Sequence, residues 1–283
     1  MPLLGAHMSI AGGLHLAFDR LREVGGRALQ VFTKNERQWA SPALSEESVR
    51  RFRESWRANG HIPVAVHDTY LINLAASDTV KLEKSVHVFA EELQRTERLE
   101  IEYLIMHPGS HVGQGVEAGL ERFVSNLDRA LALSGTSRVT VLIETTAGQG
   151  SSLGSTFEEL ATILSASHFG ERLGVCFDTC HAFAAGYDIR TEASYRETFS
   201  RFDDLIGLDR LKFFHLNDSK RSLGSHVDRH EHIGKGAIGL AGFRLLLNDP
   251  RFRHHPMVLE TPKGKDLQED RENLRVLRSL LDD

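Results

Sequence analysis

The sequence predicts an α/β protein, a single-domain (β/α)8 TIM barrel over residues 1–283, on three observations. Short β-rich apolar segments alternate with longer segments of helical periodicity, the order that βα units and a parallel sheet require. Eight such strands fit a length usual for this barrel, whereas an open doubly wound sheet more often has fewer. No linker, low-complexity tract or second compositional regime divides the chain.

The strand candidates, in order, are LLGAH, ALQVFT, PVAVH, EYLIMH, TVLIET, LGVCFD, KFFHL and PMVLET. Helices fit between them. SEESVRRFRESWRANG opens on a serine cap and closes on glycine, and a long helical segment runs from Thr79 to Leu99. The last segment places Leu267, Leu274, Leu277 and Leu281 on one apolar face and would close the outer ring.

Composition narrows the setting. Cys176 and Cys180 are too few and too close to staple a fold, which points to a reducing compartment. The start MPLLGAHMSIAGG lacks the basic and apolar regions of a signal peptide, and no run approaches a membrane span, so a cytoplasmic protein is expected. The count of 15 histidines is high, and imidazole serves both as a neutral metal ligand and as a proton carrier. A formal charge of −5 argues superficially against a polyanionic partner.

Chemistry concentrates where the strands end. His67, His107, Glu144, Asp178, His215 and Glu260 sit at or beside the carboxyl ends of six of the eight candidates. In a parallel barrel those ends converge on one face. Side-chain alternation turns Asp178 and Cys176 inward while Val175 and Phe177 pack on helices; Glu144 stands above Leu142, His107 above Ile105 and Glu260 above Val258. Burying one unpaired carboxylate there costs several kcal/mol, so several together call for cations. His181 in DTCH, and Asp228 with His230 in DRH, add candidates expected on connecting loops. Five histidines and four carboxylates exceed one metal site and suggest two or three ions, nitrogen and oxygen donors favouring zinc or manganese over calcium. A single acid or histidine at a strand end is more often a hydrogen-bonded structural residue. Six at converging ends reverse that balance.

Nine strings in order carry a resemblance: GAHMSIAGGL, VFTKNERQW, HDTYLINLA, HPGSH, TAGQGSSLG, CFDTCHAFAAGYD, HLNDSK, VDRHEHIGKGAIG and LETP. Over nearly its whole length the chain resembles endonuclease IV, AP endonuclease family 2 of base-excision repair. The resemblance implies three divalent metals, mostly Zn2+ with Mn2+ in some sites. His67, His107 and Glu144 would hold the first; Glu144, Asp178, His215 and Glu260 the second; His181, Asp228 and His230 the third. It implies hydrolysis of the phosphodiester 5′ to an abasic site in double-stranded DNA, leaving a 3′-hydroxyl, and removal of blocked 3′ ends. Glu144 is the expected catalytic residue, bridging metals and positioning the attacking hydroxide. Arg37, Tyr70 and Leu71 would enter the duplex where the base is missing; for Tyr70 and Leu71 the competing reading is core packing.

Three divalent ions would turn the formal −5 into about +1, which weakens the charge objection. Lys220 and Arg229 fit either phosphate contacts or solvated surface charge. His7, His111, His226 and His232 fit an outer shell or the surface. Family members often carry asparagine after the bridging glutamate, where this chain has Thr145. The other readings are a barrel sugar isomerase or epimerase with divalent metals, and a catalytically silent damaged-DNA-binding protein. The third trio and the KNERQW and HDTYL loops favour the nuclease, and a monomer is expected.

Overall fold

A computed structural model of the chain describes residues 2–36 and 38–282. Eight parallel strands close into a barrel: β1 (Leu3–His7), β2 (Leu29–Val31), β3 (Val64–His67), β4 (Tyr103–Met106), β5 (Thr140–Glu144), β6 (Leu173–Asp178), β7 (Leu211–His215) and β10 (Pro256–Leu259). Each of the eight predicted segments supplies one strand. Between β7 and β10 the chain adds a two-stranded antiparallel ribbon, β8 (Asp218–Ser219) with β9 (His230–Glu231).

Around the barrel run α1 (Leu16–Glu23), α2 (Glu46–Ala58), α3 (Thr79–Arg98), α4 (Val116–Ser134), α5 (Phe157–Ala166), α6 (Thr179–Ala185), α7 (Glu192–Leu205), α8 (Gly239–Leu247) and α9 (Gln268–Ser279). Five of them start on side-chain caps that satisfy otherwise orphaned backbone N–H groups. Ser45 accepts from the Ser48 N–H, Asp78 from Lys81 and Thr156 from Glu159. Helix α9 begins one residue later than its leucine pattern, because Leu267 adopts a left-handed φ of 57°. Leu274 and Leu277 are buried as expected.

The core has two layers, as strand alternation demands. Outward strand residues, including Val175, Phe177 and Phe214, pack against the helices in the larger cluster. Inside the barrel a separate cluster holds Ala28, Ala65, Ile105, Leu142, Cys176, Phe213 and Val258. Gly5 faces the same space where β1 and β2 approach so closely that a Cβ would lie 1.6 Å from the Ala28 carbonyl oxygen. Only glycine fits there. The inward residue two positions further along each strand rises above this apolar floor.

Candidate metal centre

Those second positions are His7, Gln30, His67, His107, Glu144, Asp178, His215 and Glu260, so all eight strands deliver a polar group to one face. Glu144 lies at their centre, fully buried. Its Oε2 is 3.0 Å from His67 Nε2 and 3.1 Å from His107 Nε2; its Oε1 is 3.0 Å from His215 Nδ1 and 3.1 Å from His181 Nδ1. One carboxylate therefore faces four imidazoles. His215 Nδ1 also stands 3.1 Å from Glu260 and 3.8 Å from Asp178.

His181 comes from α6 rather than a loop. Asp178 caps that helix, its Oδ1 accepting from the His181 N–H at 2.8 Å, so the spacing in DTCH is the spacing of an N-cap and its third helical residue. Cys180 is buried in the same helical turn. Asp228 and His230 arrive from the ribbon side. Asp228 stands 3.2 Å from His181 Nε2 and 3.4 Å from His230 Nε2, and the two imidazoles are 3.3 Å apart.

Two clusters of donor atoms gather within 4.8 Å as His67, His107, Glu144 and as Glu144, Asp178, His215, Glu260. They share Glu144. Near the third trio the same spacing joins Asp178 with His181 and His230, and Cys180 with Asp228 and His230. The electrostatics show what this crowd of groups requires. Burial pushes the His67 imidazole down, but the Glu144 carboxylate outweighs it and lifts the ring to about 10. Burial would raise Glu144, yet His215, His107 and His181 hold it well below the usual carboxylate range. Burial likewise opposes ionisation of Asp228, and His181 overcomes it, bringing the group to about 2. The carboxylates thus demand positive charge between themselves and the rings, a demand that protons or bound cations can meet. Nitrogen and oxygen donors in groups of three and four fit zinc or manganese.

Neighbouring residues hold this arrangement. The Asn217 amide donates to Asp178 Oδ2 at 2.6 Å while its oxygen accepts from the Glu260 N–H. The Thr145 hydroxyl accepts from the Asp178 N–H at 2.9 Å, and the Thr145 carbonyl accepts from His181 Nδ1 at 3.0 Å. The residue after Glu144 therefore acts on the backbone that carries Asp178. Of the remaining histidines, His7 reaches Glu260 at 3.2 Å; His226 contacts the Ala147 carbonyl and His232 contacts Asn273. His111 instead accepts from the Gly115 N–H away from the cluster.

A cleft beside the cluster is lined by His67, Tyr70, Asn73, His107, Asp228 and Arg229. Tyr70 is 67% exposed, with its ring 6.1 Å from that of His67, so the core-packing reading does not hold for it. Leu71 is half-buried next to it. Arg37 lies outside the described residues; the segment before it is anchored by a buried ion pair, Lys34 Nζ to Glu92 at 2.9 Å. Lys220 stands 3.9 Å from Glu231. A larger cavity, about 850 Å³, opens on the outer wall between α4 and α5 over Leu120, Val124 and Phe169, far in the fold from these donors.

Gln30 and Asn217 escaped the sequence reading because an amide is not a usual ligand for zinc. The rule that placed Glu144 above Leu142 would have placed Gln30 above Ala28.

The AP endonuclease 2 family model, described as a xylose isomerase-like TIM barrel, matches residues 18–280. A probable endonuclease 4 of Chloroflexus aggregans is 54% identical over 281 residues, covering 99% of this chain and 98% of that protein. The chain belongs to the endonuclease IV family. A probable endonuclease 4 of Geobacter sulfurreducens is 51% identical and covers 98% of this chain and 94% of its own. The crystal structure of endonuclease IV from Thermus thermophilus superposes with a TM-score of 0.89 at 40% identity, covering 99% of this chain and 98% of that one. Membership in the endonuclease IV family makes the chain a nuclease, a phosphodiester hydrolase. A D-tagatose 3-epimerase-like protein superposes with a TM-score of 0.74 at 18% identity, which is a likeness of fold alone. The sugar isomerase reading is therefore not favoured over the endonuclease IV assignment. Among the described residues no helix is long and apolar enough to cross a membrane.

Proposed function

We propose that this endonuclease IV family member is a metal-dependent AP endonuclease that hydrolyses the phosphodiester 5′ to an abasic site in double-stranded DNA, leaves a 3′-hydroxyl, and clears blocked 3′ ends. Residues 1–283 act as one barrel domain, as a monomer, with the active centre at the carboxyl ends of the strands. The observation that carries the metal reading is Glu144, a buried carboxylate shared by two donor clusters and faced by four imidazoles.

Three divalent ions, chiefly zinc with manganese in some positions, fit the donors. His67, His107 and Glu144 would hold one, Glu144, Asp178, His215 and Glu260 a second, and His181, Asp228 and His230 a third. When bound, such ions lower the pKa of water and neutralise charge on attacking and leaving oxygens of a phosphodiester. The chain's own residues do the rest. Glu144 ties the two halves of the centre together and orients the groups around it. Asn217 and Thr145 hold Asp178 in place, and the apolar floor beneath keeps the donors at one height. Exposed Tyr70, with Leu71 and Arg37, fits a wedge at the gap left by a missing base, where unstacking is cheapest.

The test is incision of a duplex carrying one abasic analogue, before and after chelation and again with zinc or manganese restored. Incision is expected to disappear on chelation and return with metal. Activity indifferent to both would overturn the proposal, and turnover of an aldose in place of DNA would revive the isomerase.

A further inference from the structure

We infer that Gln30 is a positioning residue whose buried amide fixes which nitrogen of His215 carries the proton, leaving His215 Nδ1 with its lone pair turned toward Glu144, Asp178 and Glu260. The inference rests on reading those four residues as a metal site.

Gln30 sits on β2 with no exposed surface. Its Nε2 donates to Glu260 Oε1 at 2.6 Å and to His7 Nδ1 at 3.0 Å, while its Oε1 lies 2.7 Å from His215 Nε2. Hydrogens and amide orientation follow from this network. An ionised carboxylate only accepts, so Glu260 demands the amide N–H on its side. Reversing the amide would press two acceptor oxygens together at 2.6 Å. The Gln30 oxygen therefore faces His215, and because that oxygen cannot donate, His215 Nε2 must carry the hydrogen.

Fixing Nε2–H decides the chemistry at the opposite edge of the ring. His215 Nδ1 faces Glu144 Oε1 at 3.0 Å, Glu260 Oε2 at 3.1 Å and Asp178 Oδ2 at 3.8 Å. A lone pair among three carboxylates is a cation site, whereas an Nδ1–H would point a proton into the same space. A metal-ligating histidine usually has its other N–H held by an acceptor that sets tautomer and ring orientation. Gln30 does this for His215 and, with the same group, restrains Glu260 from a third strand. His7 supports the amide in turn, its ring tilted against Phe32 at 4.4 Å.

Zinc-loaded protein with 15N-labelled histidine tests this directly. In the unsubstituted protein the His215 N–H signal should reside on Nε2, protected from exchange, with the Nδ1 shift of a coordinated nitrogen. Gln30→Leu should lose that protection and release one of the bound zinc ions at about 10- to 100-fold lower chelator concentration. Gln30→Glu keeps an acceptor for His215 and should keep the Nε2–H signal, while its second carboxylate oxygen repels Glu260 and loosens the same ion. An unchanged His215 signal and chelator midpoint in Gln30→Leu overturns the inference. So does a shift of the hydrogen to Nδ1 in Gln30→Glu, which decides the matter if Gln30→Leu does not fold. A zinc-free unsubstituted protein would overturn the metal reading as well; zinc binding with indifferent variants would overturn the role of Gln30 alone.

Discussion

Glu144 has no exposed surface, yet His215, His107 and His181 hold its carboxyl well below the usual carboxylate range. Glu144→Gln keeps its shape and removes its charge, so it should reduce incision of abasic duplex by more than about 100-fold, beyond the usual effect of disturbing a residue behind a ligand. The fold should survive, as judged by an unchanged circular dichroism spectrum; undiminished incision with full metal content would contradict the role given to Glu144. That six strand-end acids and histidines meet on one face was legible in the sequence, because such residues have few bland explanations once six of them converge. Gln30 and Asn217 were not, since an amide one step behind a ligand looks like any polar residue until its partners are known. His181 was assigned to a loop because the apolar run of LGVCFD hid that Asp178 both ends a strand and caps a helix.

At the scale of elements, the segment from Ile233 to Gly239 is organised by one buried carboxylate. Asp218 Oδ2 accepts from the N–H groups of Gly234, Gly236 and Gly239 at 2.9, 3.0 and 3.3 Å, and Oδ1 from Ser219 and Ile238 at 2.8 and 2.9 Å. Such a cradle needs an acceptor at every lone pair. Asp218→Asn turns an NH2 toward backbone donors and should cost about 2–4 kcal/mol in chemical denaturation. A loss below the resolution of that measurement would show that the segment holds without the carboxylate. The strands themselves were readable from alternation, and the cap at Ser45 from short-range chemistry. The ribbon was not, because β8 and β9 are two residues each and carry no periodicity.

For the molecule as a whole, acid stability offers a test away from the metal centre. Asp249 accepts from the Tyr195 hydroxyl at 2.8 Å and pairs with Arg251 at 2.6 Å. Burial would raise its carboxyl, but the Arg251 guanidinium holds it below the ordinary value. A depressed folded-state pKa adds stability that is complete above the unfolded value, near 4, and lost as pH falls through the folded one. Asp249→Asn should therefore lower the melting temperature at neutral pH and flatten its decline below about pH 4; parallel melting curves in acid would contradict this. The barrel places the nine proposed ligands on two kinds of support. His67, His107, Glu144, Asp178, His215 and Glu260 stand on strands that brace one another around a closed ring, and His181 on a helix capped by one of them. Asp228, 42% exposed, and His230 hang instead from a strap that crosses the mouth. Damage to the ring would ruin the whole centre at once, whereas damage to the strap would take away one corner and spare the others. The centre would thus fail in instalments, and Asp228 on that strap is the most exposed of the nine side chains.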